Sequence, residues 1–288
     1  MIKLLRFIAI SISVAFAALS IASAQTYTSI DFPGALATSL NGGPNPQGTN
    51  IGSYEDTSGV VHGFVLQKGV FTSFDAPGST STSPNWISPQ GVIVGTFSDA
   101  SGASHGFIRN GGNYTTVDFP GAAGTILTSL NPSGELSGFS CAVASCGGGV
   151  KHSFVVSKTG AFTSFDPPGA IRSEANCINP SGTVVGFYRD SAVVGHGYQL
   201  YHGTFTTIDV PNSTFTFVGA NNPEGDSVGS YTDTSFVTHG FLLSNGVFTS
   251  FDFPGALQTD PGGINPGGII VGAYFDSAGA EHGFIRTP

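Results

Sequence analysis

Along most of the chain, short runs of β-branched and aromatic residues alternate with clusters of Gly, Pro, Asn and Asp, and the alternation returns at a fixed interval. Apolar runs of this length bounded by turn residues predict β-strands joined by tight turns. The stretch 248–284, FTSFDFPGALQTDPGGINPGGIIVGAYFDSAGAEHGF, shows the unit, and earlier segments repeat it. The glycine of its Asn-Pro-x-Gly turn recurs as Gly48, Gly91, Gly134, Gly182, Gly225 and Gly268, at spacings of 43, 43, 48, 43 and 43. A histidine before Gly-Phe, or a variant of it, recurs as His62, His105, His152, His196, His239 and His282. Six copies of about 43 residues account for essentially everything after residue 24.

Each copy divides into four strand-like pieces. The first ends at Asn45, Ser88, Asn131, Asn179, Asn222 or Asn265. In Asn45-Pro46-Gln47-Gly48, Asn at i, Pro at i+1 and Gly at i+3 favour a type I turn. The second piece is a β-branched run with one interior glycine (Gly52, Gly95, Gly138, Gly186, Gly229 or Gly272), which signals a bulge or a closely packed neighbouring backbone. Asp-x-x-Gly hairpin chemistry follows in the clearest copies, at 56–59, 99–102 and 276–279. The third piece begins at the histidine. The fourth is Phe-Thr-Ser-Phe-Asp or a near variant, closed by Pro-Gly, which suits a type II turn; Pro211-Asn212 is the one departure.

Four antiparallel strands in such a unit, repeated six times, match the blades of a β-propeller. The expected fold is all-β, a six-bladed β-propeller of four-stranded antiparallel blades forming a single domain over residues 25–288. The ends support a ring over an open solenoid. A lone fourth strand at 27–31 opens this region, and a third strand at 282–286 closes it without a fourth. Joining the two completes the sixth blade and closes the ring.

The sequence Ile-Asn-x-x-Gly-x-Val-Val-Gly, present as 178–186, then His-Gly-Phe and a Thr-rich strand ending in Pro-Gly, resembles the HAF-type extracellular repeat, a family of exported bacterial proteins. The resemblance covers all six copies. It implies secretion and no particular reaction.

The N-terminal residues read independently as an export signal. Lys3 and Arg6 precede an apolar run over 7–21, and Ala22-Ser23-Ala24 before Gln25 fits signal-peptidase cleavage. Residues 1–24 are therefore expected to be removed, leaving a secreted or periplasmic protein with no transmembrane segment in the mature chain. The mature chain holds seven basic against eighteen acidic groups, a net −11. Such a surface repels phosphate backbones, so nucleic acid is excluded as a partner. In an oxidising compartment Cys141 and Cys146, five apart in the copy that carries an insertion, suit a local disulfide; Cys177 reads as a buried small residue, with pairing to Cys141 or Cys146 as the alternative.

Six recurring histidines and the carboxylates Asp31, Asp75, Asp118, Asp166, Asp209 and Asp252 gather on the rim formed by the fourth-to-first and second-to-third connections. Imidazole and carboxylate are good ligands for divalent ions. Asp at a turn and a half-buried His linking two loops are also ordinary scaffold, so these positions are assigned as structural. The third copy breaks the pattern with Ala142 in place of the hairpin Asp and Ser153 after His152. The composition calls for no cofactor and leaves room for one divalent cation such as calcium.

Catalysis or selective binding on a pseudo-symmetric ring needs unequal groups, so residues that break the repeat are the candidate ligand-binding positions. These are Trp86, where other copies have a small residue, together with Arg172, Glu174 and Asp260 near the starts of first strands. No nucleophile elbow, His-Glu-x-x-His, paired-cysteine metal motif or phosphate loop is present. The leading expectation is a non-catalytic binding or interaction scaffold for a glycan, a peptide or a cell-envelope component. A divalent-metal-dependent propeller hydrolase or lyase and a purely structural envelope protein are the alternatives.

Overall fold

The computed structural model describes residues 25–288, so the predicted signal segment lies outside the described residues. Twenty-four strands follow the repeat. β1 (Thr26–Ile30) stands alone, and the first copy contributes β2 (Ala37–Asn41), β3 (Asn50–Glu55), β4 (Val61–Gln67) and β5 (Val70–Phe74). The second contributes β6 (Ser81–Ile87), β7 (Ile93–Ser98), β8 (Ser104–Asn110) and β9 (Asn113–Val117), and the third β10 (Gly124–Leu130), β11 (Leu136–Cys141), β12 (Lys151–Val156) and β13 (Phe162–Phe165). The fourth contributes β14 (Arg172–Ile178), β15 (Val184–Arg189), β16 (Gly195–Tyr201) and β17 (Thr204–Ile208). The fifth contributes β18 (Phe215–Asn221), β19 (Ser227–Thr232), β20 (Thr238–Ser244) and β21 (Val247–Phe251), and the sixth β22 (Gln258–Ile264), β23 (Ile270–Phe275) and β24 (Glu281–Thr287).

Within each copy the strands pair antiparallel in sequence order, and β1 pairs with β24 as the fourth strand of the last sheet. The first strands of successive copies touch one another around the ring, and β2 touches β22, so they form its inner wall. The protein is thus an all-β propeller closed by its N-terminal strand. Four copies form separate four-stranded sheets. The fourth and fifth share one eight-stranded sheet, because Gly195 of β16 pairs in parallel with Phe215 of β18. That single residue pair is the only departure from the six separate sheets expected from the repeat.

The strands stack through a layer of large side chains. Phe64, Phe107, Phe154, Tyr198, Phe241 and Phe284, the residues of the His-Gly-Phe position, are at most 1% exposed. Each contributes roughly 2–3 kcal/mol of burial. In the five copies with a glycine before the aromatic, the next copy packs against it: a Cβ on Gly106 would stand 2.6 Å from Leu127, and one on Gly197 2.5 Å from Val218. The interior glycine of the second strand has the close backbone neighbour that its position implied. A Cβ on Gly186 would lie 2.1 Å from the Glu174 carbonyl oxygen, and one on Gly52 2.0 Å from that of Ser39.

Side chains on the inner wall tie the copies together. Asn41 Nδ2 donates to the Pro84 carbonyl at 2.9 Å, Asn85 to Leu127 at 2.7 Å, Thr128 Oγ1 to Ala175 at 2.8 Å and Asn176 Nδ2 to Val218 at 2.8 Å. Glycines occupy the same register in the fifth and sixth copies, at Gly219 and Gly262, so this girdle covers only part of the ring. No helix among the described residues is long and apolar enough to cross a membrane.

Candidate functional site at the channel mouth

The two faces of the ring differ in chemistry. One carries the second-to-third hairpins and the fourth-to-first loops, where the Asp and His residues meet. His62 places Nδ1 2.9 Å from Asp75 and Nε2 3.4 Å from Asp56. His105, His196, His239 and His282 repeat this with Asp118 and Asp99, Asp209 and Asp190, Asp252 and Asp233, and Asp31 and Asp276. In the third copy, where Ala142 replaces the hairpin Asp, His152 contacts Asp166 alone. Burial pulls His62, His239 and His282 down, but the two flanking carboxylates outweigh it and all three are raised above their ordinary value. His105 is raised chiefly by its bond to Asp118.

Each hairpin Asp is also engaged by backbone. Asp56 Oδ1 accepts from the Ser58 and Val60 amides at 2.8 and 2.9 Å, and the Val60 bond leads in holding its carboxyl below the usual range. Asp99 falls to about 2, with the Ser101 hydroxyl as the largest cause. In the five copies with both carboxylates, the imidazole bridges the hairpin Asp, itself held by loop amides, and the Asp after the fourth strand, so the arrangement staples the two connections of a copy together. Among the described residues no group of three or more His, Cys, Asp or Glu is disposed to hold a metal ion.

The opposite face carries the Asn-Pro turns, and the channel opens there into an apolar mouth of about 120 Å³. Its rim is a ring of prolines, one per copy: Pro46, Pro89, Pro132, Pro180, Pro223 and Pro266. The turn Asn residues stand on the same rim but are used locally. Asn179 Oδ1 accepts from the Ser181 and Thr183 amides at 3.0 Å each, and its Nδ2 reaches the Asn222 carbonyl at 3.1 Å. Asn131 and Asn45 accept the equivalent amide pairs. Asx-type bonding thus explains the recurring Asn without a ligand.

Two residues make the mouth unequal. Trp86, half-buried, lines it from the second copy, where the same register elsewhere holds Ser129, Cys177, Ala220 or Gly263. Asn221 lines it from the fifth copy, three copies away and hence across the ring. The residue before the turn is Pro44, Ile87, Leu130, Ile178 or Ile264 in the other copies. Asn221 is 4% exposed; its Nδ2 donates to the Thr183 carbonyl at 3.2 Å, while its Oδ1 has no hydrogen-bond partner. An unpartnered buried acceptor is uncommon and marks a place where a donor would be favourable. Sequence reasoning missed Asn221; aligning the six copies at the residue before the turn would have exposed it.

The other predicted site residues lie elsewhere. Arg172 and Glu174 occupy the start of β14, towards the His–Asp face. There Glu174 takes Lys151 at 3.0 Å and Arg172 at 3.7 Å, and Arg172 lies over the Phe187 ring at 5.7 Å. Asp260 sits in the corresponding part of β22, accepting a bond from Gln258. Its charge and that of Glu55 add to burial in raising the pKa of Glu281. The structure therefore joins Arg172 with Glu174 and separates both from Trp86 and from Asp260. Cys141 and Cys146 form the expected disulfide, and Cys177 is free and buried, with burial pushing its thiol up to about 11.

No family model matches the chain, and no curated protein matches it. Among solved structures it is similar to a TolB protein of Agrobacterium tumefaciens, with 12% identity, a TM-score of 0.60 and coverage of 86% of this chain and 89% of that one. It is also similar to the six-bladed fucose-recognising lectin of Aleuria aurantia, with 12% identity, a TM-score of 0.54 and coverage of 87% and 91%. A gluconolactonase of Xanthomonas campestris aligns at 11% identity and a TM-score of 0.53, over 88% of each chain. Folds are shared at this distance while sites are not, so the comparisons identify a β-propeller and nothing narrower.

Proposed function

We propose that this chain is an exported, non-catalytic propeller that binds a glycan, a peptide or another envelope component at the mouth on its Asn-Pro face. The eight-stranded sheet is read as two blades joined by one residue pair, which makes six blades in all. The observation that carries the binding assignment is the mouth itself: a concave apolar ring made unequal by Trp86 on one side and the unpartnered Asn221 acceptor on the other. An apolar wall with a few convergent polar groups is the usual composition of a binding site. An aromatic face and a proline rim suit the C–H face of a sugar or the ring of a proline or aromatic side chain. Export is supported by the N-terminal segment, by the resemblance to HAF-type repeats and by the Cys141–Cys146 disulfide, which suits an oxidising compartment.

The non-catalytic part of the reading is supported by what the recurring Asp and His residues do, since each pair is consumed in holding two loops. Trp86 is the only tryptophan in the chain, so its fluorescence reports on the mouth alone. Titration with neutral oligosaccharides and with proline-rich peptides should give a saturable change in Trp86 emission with at least one of them, lost on Asn221→Leu if that acceptor is used. Emission that stays flat across such a panel would overturn the assignment. One tightly held stoichiometric divalent ion in protein purified without chelator would count against the absence of catalysis.

A further inference from the structure

A second cleft, of about 500 Å³, opens on the same face between the first and second copies and shares Asn45, Ile87 and Pro89 with the channel mouth. Arg109, on β8, lines it. Four residues beyond the repeat histidine, the other copies carry Leu66, Val156, Leu200 and Leu243, and only the sixth also has an arginine, Arg286. Arg286 is 3% exposed and sealed against Phe251. Arg109 is half-buried and reachable from the cleft.

The guanidinium of Arg109 is held in place without being neutralised. Its centre lies 4.5 Å from the Phe74 ring and 5.9 Å from that of Tyr114, contacts that fix its plane by cation–π attraction. No Asp or Glu lines the cleft, and no carboxylate lies within ion-pair distance of Arg109 among the described residues. Arg189 and Arg286 likewise have no Asp or Glu carboxylate within ion-pair distance among the described residues, so what sets Arg109 apart is that it lines a cleft with its charge unpaired. Around it Gln47, Gln67, Gln90 and Thr49 line a polar rim, and the half-buried Val65 supplies an apolar patch.

Resting on the binding role proposed above, we infer that this cleft takes the carboxylate of an acidic saccharide, with Arg109 as the residue that recognises the charge. A planar guanidinium matches a carboxylate two bonds at a time. One positive charge balances one negative charge, whereas a phosphate dianion would be left partly unpaired beside an acidic protein. Amide side chains supply both donors and acceptors for hydroxyl groups, and Val65 offers an apolar contact to the C–H side of a sugar ring.

Arg109→Leu installs the residue that three other copies carry at this register, so the fold should be kept, and thermal melting checks it. Calorimetric titration of the wild-type protein should show that oligogalacturonate binds at least about tenfold more tightly than the matching neutral galactan oligomer. That preference should shrink with added salt, disappear in Arg109→Leu and survive in part in Arg109→Lys. Equal affinity for the acidic and neutral oligomers, or a preference unchanged in a folded Arg109→Leu protein, would overturn the inference. So would a polyglutamate peptide bound as tightly as the oligogalacturonate, because the cleft would then read charge without reading hydroxyls. A saturable Trp86 response to neutral ligands with no acidic preference would leave the binding role standing and remove this inference alone.

Discussion

At the scale of single residues, the places where one copy differs from the rest come in matched sets. The glycine of His-Gly-Phe packs against the next copy's first strand at Pro84, Leu127, Val218, Pro261 or Leu40. In the third copy it is Ser153, and the corresponding residue of the next copy is the smaller Ala175. The hydroxyl of Ser153 lies 2.7 Å from that of Ser173 and 3.0 Å from that of Tyr198, which replaces the usual Phe. Ser173 in turn donates to Asp166 at 2.6 Å. Ser153→Gly should cost about 1–3 kcal/mol, because Tyr198 keeps a buried hydroxyl without its partner. Adding Tyr198→Phe should recover part of the loss, a coupling of about 1 kcal/mol read from urea unfolding of the two single variants and the double one. Strict additivity would show that the three hydroxyls do not act together. Ser153 was visible in the sequence as a departure, but nothing local pointed to Tyr198, forty-five positions on, because the link runs across a packed interface. Trp86 and Asn221 show the same limit: a residue's difference from its counterparts can be read from the chain, whereas the residue it faces depends on closing the ring.

At the scale of elements, turn chemistry carried most of the information. Strands, hairpins and the Pro-Gly connections were legible because Gly, Pro, Asn and Asp are placed for backbone reasons; Asn212, the one substitute for that glycine, has a φ of 63°. Less legible was the cross-link between the two loops of each copy, since the histidine partners are thirteen or fourteen residues away in most copies and 251 in the last. These staples set a pH dependence. His62, His105, His239 and His282 are raised above 6.5, so their contribution is complete below that value and fades as pH climbs through their folded pKa. Asp56, Asp99, Asp190, Asp233 and Asp276 are held below 3.8, so theirs is complete above that value and fades as pH falls. The loops are therefore best fastened between about pH 4 and 6.5, and the melting temperature should fall over the interval in which pH rises above about 6.5. The slope should be shallower in His62→Gln and His105→Gln, which separates the staples from the general repulsion of an acidic chain. A melting temperature that is flat or rising over that interval, or a slope unchanged in both variants, would rule the staples out as its source. All these groups are partly open to water, so the effect is a modest tilt and not an unfolding transition.

At the scale of the whole molecule, the fold was legible because six copies leave two complementary fragments at the ends, and the eight-stranded sheet was not, because one residue pair carries no sequence signal. The face proposed for binding was not legible either. Of the four residues that break the repeat, Arg172, Glu174 and Asp260 stand towards the His–Asp side and only Trp86 at the mouth on the Asn-Pro side, where prolines that serve as turn formers also build an apolar rim. The ring is closed by β1 against β24, with Thr26 opposite Thr287 and Ile30 opposite Gly283, reinforced by Tyr274 donating to Ser29 and by His282 meeting Asp31. Removing residues 26–30 should therefore lower stability far more than removing five residues from an exposed hairpin, as denaturant unfolding of the two deletions would show; equal losses would mean that the closure contributes little. The orientation of this pair also has a mechanical meaning. The two ends of the described chain lie side by side, so a force drawing them apart loads the Thr26–Thr287 pair first and then each pair in turn, as in opening a zip, and never the whole strand at once. A protein that resists heat through its closed circle should yield to a small tension applied at its ends and release its repeats one after another. Tethering at two hairpins on opposite sides of the ring would instead load many bonds together, and the same molecule would prove strong.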